Sequence, residues 1–255
     1  MKFIIPYYIY GLLYGLFIVF VTHIFVITYT VLHHKGYLGK VKYIQNDNKS
    51  RCLINHSKNY IENDIKNDIK RHLTKPEGFF IIVFYLGYTW IFNLMPITYY
   101  DFDSGIAVYD IFKQLVVQDF IQTCFHIAEH RVHIEFYKIS HKPHHRFINP
   151  NTFDAFDGSI YDTVTMIITP LFITSRIIHT NTWNYICFGS IYANWLFLIH
   201  SDIHHPWDWI FSRFGLGTPS DHHVHHKLRN KNYGHLFMWW DMIMNTYKNP
   251  CEVFG

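Results

Sequence analysis

The sequence predicts an all-α, integral-membrane helical bundle of roughly four to five spans, with a cytosolic, histidine-rich helical cap. Three observations carry that expectation. Aromatic residues make up 19% of the 255-residue chain and charged residues only 16%, apolar for a soluble enzyme. Two stretches, 3–32 and 78–100, contain no Asp, Glu, Lys or Arg. Ten of the 20 histidines fall into four short groups outside those stretches.

Taken in order, residues 3–32 would form a helix about 45 Å long, enough to cross a bilayer with tilt. They lack the short apolar region and small-residue cleavage site of a signal peptide, so a retained anchor is expected. Residues 35–77 are polar, with a solvated amphipathic helix expected over 60–72. They carry ten Lys/Arg against five Asp/Glu, which places this loop on the cytosolic face. The 23 uncharged residues 78–100 read as a second span. After a turn at 101–105 (DFDSG), a helix over 106–133 returns. Its Lys113, Gln114 and Asp119 mark it as a span packed inside the bundle. Residues 160–178 and 183–199 read as a helical hairpin. Counting crossings brings all four histidine groups to one cytosolic face. The expected division is an N-terminal anchor and polar loop over 1–77, followed by a catalytic membrane domain over 78–255.

The net charge of +3 is small and dispersed, which excludes nucleic acid as a partner. Cys52, Cys124, Cys187 and Cys251 are widely separated, without C-x-x-C, and imply neither disulfides nor thiolate ligation.

The histidine groups are His126/His130, His141/His144/His145, His200/His204 and His222/His225/His226, on the patterns HxxxH, HxxHH, HxxxH and HxxHH. At this histidine content a lone HxxxH arises about once or twice by chance, whereas one HxxHH is expected roughly 0.1 times. The doubled HxxHH therefore carries the inference of a metal centre. On a helix, residues four apart share a face while the middle histidine of HxxHH points about 100° away. Such a triplet can serve two neighbouring metals. Imidazole suits Fe, Zn, Cu or Ni, and ten donors exceed what one tetrahedral zinc needs. His23, His33, His34, His56, His72, His179 and His235 lack such spacing and read as structural or solvated. Two other readings stay open. His126-Ile-Ala-Glu129-His130 fits H-x-x-E-H, an inverted zinc-protease signature with Glu129 as general base. Clustered histidines could also serve a metal transporter or store, although these clusters flank the spans.

Asp119 followed by His126-x-x-x-His130, then His141-Lys-Pro-His144-His145, Asp221-His222-His223-Val224-His225-His226, Asn232-Tyr233-Gly234 and Trp240-Asp241, resembles the fatty acid hydroxylase/sterol desaturase superfamily. The resemblance runs over 80–251. HKPHH with Phe153, Ala155 and Phe156, the NYG at 232–234 and Tyr247-Lys248-Asn249-Pro250 look most like sterol C5 desaturases. His200-Ser-Asp-Ile and Thr218-Pro219-Ser220 look instead like bacterial members of varied substrate. The chain departs from the family pattern at Ile127, where Arg is common and Arg131 appears instead, at Asp157-Gly158 in place of His-Pro, and at Met244-Asn245-Thr246 in place of FGT.

The resemblance implies a non-haem di-iron oxidoreductase that uses O2 to desaturate or hydroxylate a lipid, a sterol above all, with fatty acyl chains as the alternative. The ten histidines would bind two Fe ions. Ligating imidazoles need their outer N–H held. Asp119, Asp202, Asp221 and Asp241 are candidates for holding them, as are His205 and His223. Trp239 and Trp240 could line a sterol channel or form an interfacial belt. With no GxGxxG and no CxxCH, electrons would come from outside, from cytochrome b5 and its reductase or a comparable donor. A eukaryotic member would reside in the endoplasmic reticulum with its catalytic face cytosolic.

Overall fold

Helices form every long element in the computed structural model, which describes residues 7–45 and 58–255, and no strand forms among those residues. Two isolated bridges, Tyr43 with Ile203 and Leu216 with Phe237, stitch loops together. Cys52 and His56 lie outside the described residues.

Helix α1 (Tyr7–His34) carries no internal charge or proline. Thr22, Val26, Thr30 and His33 form its buried stripe, spaced three and four apart, while Phe17, Phe20 and Phe25 stay exposed. Among the described residues, only the part of it over Leu12–His34 is long and apolar enough to cross a membrane. The second expected span is shorter than its uncharged run. A π turn (Pro76–Phe80) leads into α3 (Ile81–Ile91), which stops before Asn93 takes a left-handed φ of 57° and Pro96 follows. Eleven helical residues rise about 16 Å, roughly half the hydrocarbon thickness of a bilayer. The polar loop between them supplies α2 (Lys58–Thr74), which covers the expected amphipathic stretch.

Helix α4 (Val108–Arg131) buries Gln114, Gln118, Asp119, Gln122, Thr123 and His126. Neighbouring elements partner several of these side chains, with Gln118 Oε1 accepting from Thr174, Asp119 and Gln122 meeting Tyr192, and His126 bonding Tyr233 O. The hairpin consists of α6 (Ile160–Thr163), a π turn (Val164–Ile168) and α7 (Thr169–Ile177), answered by α8 (Thr182–Ile199). Asn181 starts α8 by accepting a hydrogen bond from the Asn184 N–H at 2.9 Å. Helix α1 lies along α3 and α8, and α4 lies against α7 and α8. Their shared core includes Trp90, Tyr99, Phe188, Tyr192 and Leu196, with Leu236 and Phe237 descending from the cap.

The cap is built from short helices: α5 (Ile134–Ile139), α9 (Asp208–Arg213), α10 (Pro219–Leu228), α11 (Trp239–Ile243) and α12 (Cys251–Phe254). Thr218-Pro-Ser-Asp221 writes the start of α10. The Thr218 hydroxyl and Asp221 carboxylate cap each other's backbone N–H groups, with Pro219 at the first position. Arg229, at a φ of 63°, ends it.

Candidate metal centre

Nine imidazoles converge in the cap. His126, His130, His141, His145 and His225 form one group, and His144, His200, His222 and His226 form another, with the ligand atoms of each group within 4.8 Å of one another. His126 and His130 lie one turn apart on α4. His222 and His226 lie one turn apart on α10 and enter the second group, while the intervening His225 turns into the first. The 141–145 segment divides the opposite way, sending His141 and His145 to the first group and His144 to the second. The 100° offset within each HxxHH is what interleaves the two groups.

Outer nitrogens fix the tautomers. The Nδ1–H groups of His126, His225, His226 and His200 donate to the carbonyls of Tyr233 (2.7 Å), Lys231 (2.8 Å), Phe147 (2.7 Å) and Leu196 (2.7 Å). His144 Nδ1–H reaches the Asp157 carbonyl at 3.3 Å, and His141 Nδ1–H donates to the Asp162 carboxylate at 2.7 Å. A carbonyl can only accept, so each of these rings is protonated at Nδ1 and presents a bare Nε2 lone pair. Those lone pairs face one another. His126 and His141 meet Nε2 to Nε2 at 2.9 Å and His200 and His144 at 3.3 Å, with no proton left for either contact. The remaining Nε2 contacts run from 2.9 to 3.1 Å. Opposed lone pairs at such distances repel unless a cation lies between them. Two nitrogens bound at right angles, ~2.1 Å from one ion, sit about 3.0 Å apart, whereas tetrahedral ligands sit about 3.4 Å apart. The residues present fit a pair of metal ions, one at each histidine group.

Burial keeps these rings ready for metal. It pushes His141 down to about 3 and His144 to about 4, and burial reinforced by neighbouring imidazoles holds His145, His222, His225 and His226 well below the ordinary histidine range. All are neutral ligands at pH 7.

His204, expected with them, lies apart. Helix α8 ends at Ile199 with His200 as its cap, and the chain turns to extended backbone where Ile203 bridges Tyr43. The one-turn phase between His200 and His204 is thereby lost. His204 faces Asp208 at 3.9 Å and Ser220 at 3.4 Å, with its side chain 43% exposed. His235, unmarked by any spacing, is instead buried between the groups, its ring 5.0 Å from that of His126 and 5.3 Å from that of His222.

The expected ring-holding carboxylates act one step further out. Asp119 accepts from the backbone N–H groups of Leu236 (2.8 Å) and Phe237 (2.9 Å), from Trp240 Nε1 (3.0 Å) and from Tyr192 OH (3.1 Å). Asp241 accepts from Tyr233 N–H at 2.8 Å, Gly234 N–H at 2.6 Å and the Thr246 hydroxyl. Together they clamp the 233–240 segment, whose Tyr233 carbonyl holds His126. Asp221 caps α10 and meets the Tyr247 hydroxyl at 3.3 Å. His223 points away from both groups, joining Ser201 O and Gln45. His205 accepts from the Tyr29 hydroxyl at 2.6 Å, and Asp202 pairs with His34 at 3.6 Å. Trp239 donates to Phe214 O, and Trp240 is spent on Asp119.

The carboxylate that touches a clustered imidazole is Asp162, with Glu129 behind it at 3.5 Å from His141 Nδ1. Asp162 stands at no recognisable spacing from the histidines, so only the packing of α6 against the cap reveals it. Asp157 ties this region to α2. Lys75 (2.5 Å), Arg71 (3.3 Å) and Arg146 converge on its carboxylate while its carbonyl holds His144.

The fatty acid hydroxylase family model matches residues 111–246. An alternative squalene epoxidase of Phaeodactylum tricornutum is 48% identical over 241 residues, 94% of this chain and 66% of that protein. A Δ7-sterol-C5(6)-desaturase of Nicotiana tabacum is 27% identical over 59% of this chain and 54% of its own length. A Δ7-sterol 5(6)-desaturase of Gibberella zeae is 28% identical over 49% of this chain and 37% of its own. The chain thus spans at most 66% of the length of these relatives. No solved structure matches it.

Proposed function

Because the chain belongs to the fatty acid hydroxylase family, we propose that it is a membrane-bound, O2-dependent lipid oxidoreductase that adds oxygen across a carbon–carbon double bond of squalene or a similar neutral isoprenoid. The observation that carries the substrate is the reach of the likeness to the squalene epoxidase, 48% identity over 94% of the chain, against 27% over 59% for the tobacco sterol desaturase. Sterol C5 desaturation, which the HKPHH and NYG motifs suggested, is the second reading and rests on the desaturase matches.

Two iron ions would supply the reductive activation of O2. His126, His130, His141, His145 and His225 would hold one, and His144, His200, His222 and His226 the other. The carbonyls of Tyr233, Lys231, Phe147 and Leu196 orient the rings so that each offers Nε2, and burial of the rings keeps bulk water from the centre. The reaction balances as one lipid double bond, one O2, two electrons and two protons giving one epoxide and one water. Electrons come from an external donor of the cytochrome b5 class. The bilayer seat is supported by the exposed apolar flank of α1, including Phe17, Phe20 and Phe25, and by Phe84, Tyr88 and Ile91 on α3. The charge bias of residues 35–77 supports a cytosolic cap, and the endoplasmic reticulum is the seat expected of a eukaryotic member of the family.

A one-zinc peptidase leaves the second histidine group without a purpose. Expression in yeast lacking squalene epoxidase, and separately in yeast lacking sterol C5 desaturase, tests the reading. Growth and 2,3-epoxysqualene in the first strain alone are expected. Restored C5 unsaturation in the second strain alone would overturn the epoxidation proposal in favour of desaturation.

A further inference from the structure

One large cavity lies outside the metal centre, between α1, α3, α4, α7 and α8. Counting the open space at its mouth, it encloses about 1190 Å³ between the helices. Its geometry is axial. On α8, Tyr185, Gly189, Tyr192 and Leu196 line it at spacings of three and four, a run of about 16 Å along the helix. His200 stands one turn beyond Leu196 on the same face and enters the second histidine group. On α1, the parallel row Leu12, Leu16, Val19 and His23 forms the facing wall.

Among the described residues, no Asp, Glu, Lys or Arg lines the cavity. His23 and His72 close the end nearest the cap, with Nε2 atoms 3.1 Å apart. His23 Nδ1–H donates to Val19 O at 2.7 Å, so the shared proton belongs to His72. Burial pushes His72 down to about 4, so this end is neutral too. Gln118, 1% exposed, also lines the wall; its Oε1 accepts from Thr174, but its Nε2 has no partner among the described residues. A buried amide N–H without an acceptor marks a place for a ligand group. The face of a double bond can receive it, as an aromatic face does. A saturated chain offers nothing there, and a carboxylate would meet no cation in the wall.

We propose that this cavity is the substrate chamber, and that it seats an uncharged, unsaturated hydrocarbon lipid lengthwise along the Tyr185–Leu196 stripe, with one end directed at His200. The assignment rests on the lipid-oxidising reading above, and it adds where the lipid lies and why an ionised one is refused. Two glycines make it testable. Gly15 on α1 and Gly189 on α8 face the chamber from opposite walls, and a Cβ at either meets no heavy atom within 4 Å. A side chain there fills the chamber without moving the backbone, and replacing a mid-helix glycine favours the helix.

The full chain, iron-loaded in detergent micelles, is incubated with tritiated squalene, and the retained label is counted after gel filtration. Palmitate and ergosterol serve as competitors. Gly189→Phe and Gly15→Phe should each retain at least about ten-fold less squalene than wild type, with iron content and melting temperature unchanged. Excess palmitate should displace little. Wild-type retention in both variants would overturn the proposal, as would displacement by palmitate as effective as by unlabelled squalene. Stronger displacement by ergosterol, which carries a hydroxyl, than by unlabelled squalene would likewise overturn the assignment to a hydrocarbon lipid. Squalene retained in a Gly189-dependent way but left unoxidised would instead overturn the function proposed above and leave the chamber standing.

Discussion

Replacing Asp119 by Asn keeps the shape of the side chain and removes only its ability to accept from both ends. Four donors converge on the carboxylate, Leu236 N–H and Tyr192 OH on one oxygen, Phe237 N–H and Trp240 Nε1–H on the other. In its best orientation the amide oxygen keeps the second pair and turns its NH2 toward the first. Tyr192 tolerates that, because its one hydroxyl proton, shared with Gln122 Oε1 at 2.6 Å, can go wholly to Gln122 and leave its oxygen to accept. Leu236 N–H cannot, and is left buried without a partner at a cost of about 1–3 kcal/mol, while the two surviving bonds drop from charge-assisted to neutral strength. The sum is a loss of about 3–4 kcal/mol. The segment released leads back to Tyr233, whose carbonyl fixes His126, so the first metal group should bind iron about 10–100-fold more weakly. Equilibrium unfolding in mixed micelles and iron titration of the apoprotein measure the two effects, with exposed Asp103→Asn as a control expected within about 0.5 kcal/mol of wild type. An Asp119→Asn loss below about 1 kcal/mol, with wild-type iron affinity, would refute the idea that this carboxylate clamps the 233–240 segment.

His225→Ala should lower iron by about one ion per chain and abolish turnover, whereas His204→Ala should leave iron content unchanged; elemental analysis of the purified proteins separates the two. Asp162→Ala removes the acceptor on His141 Nδ1 and should weaken iron binding about 10–100-fold. Gly158→Ala should act in the same direction, because a Cβ there collides with the Asp162 carboxylate. His141 and His144, held by burial at about 3 and about 4, remain unprotonated in the fold at pH values where the unfolded chain, near 6.5, takes up protons. The metal-free protein should therefore be fully stable above pH 6.5 and lose stability as pH falls from there toward 4. A denaturation midpoint flat between pH 7 and 5 would contradict that burial.

The spacing of the histidines set much of the centre before any coordinates. Residues three and four apart on a helix must share a face, which is why His222 and His226 meet in one group and His225 turns to the other. The same rule failed at His204 because it assumes an unbroken helix, and α8 ends at Ile199. Spacing was silent on His235 and Asp162 for the opposite reason: their positions depend on how separate segments pack. The uncharged run 78–100 signalled a span, but charge alone carries no information about where Asn93 and Pro96 stop the helix.

Sequence by itself determined the helical class, the family and nine of the imidazoles that gather in the cap, because local periodicity and residue chemistry do not depend on distant partners. Tertiary structure alone decided which nitrogen His126, His144, His200, His225 and His226 turn inward, since that choice belongs to backbone carbonyls up to 107 residues away, as between His126 and Tyr233. It also decided what Asp119 and Asp241 hold, and that the lining stripe of α8 leads into His200. Those are properties of packing, where a side chain's role is set by whatever the folded chain brings within hydrogen-bonding reach.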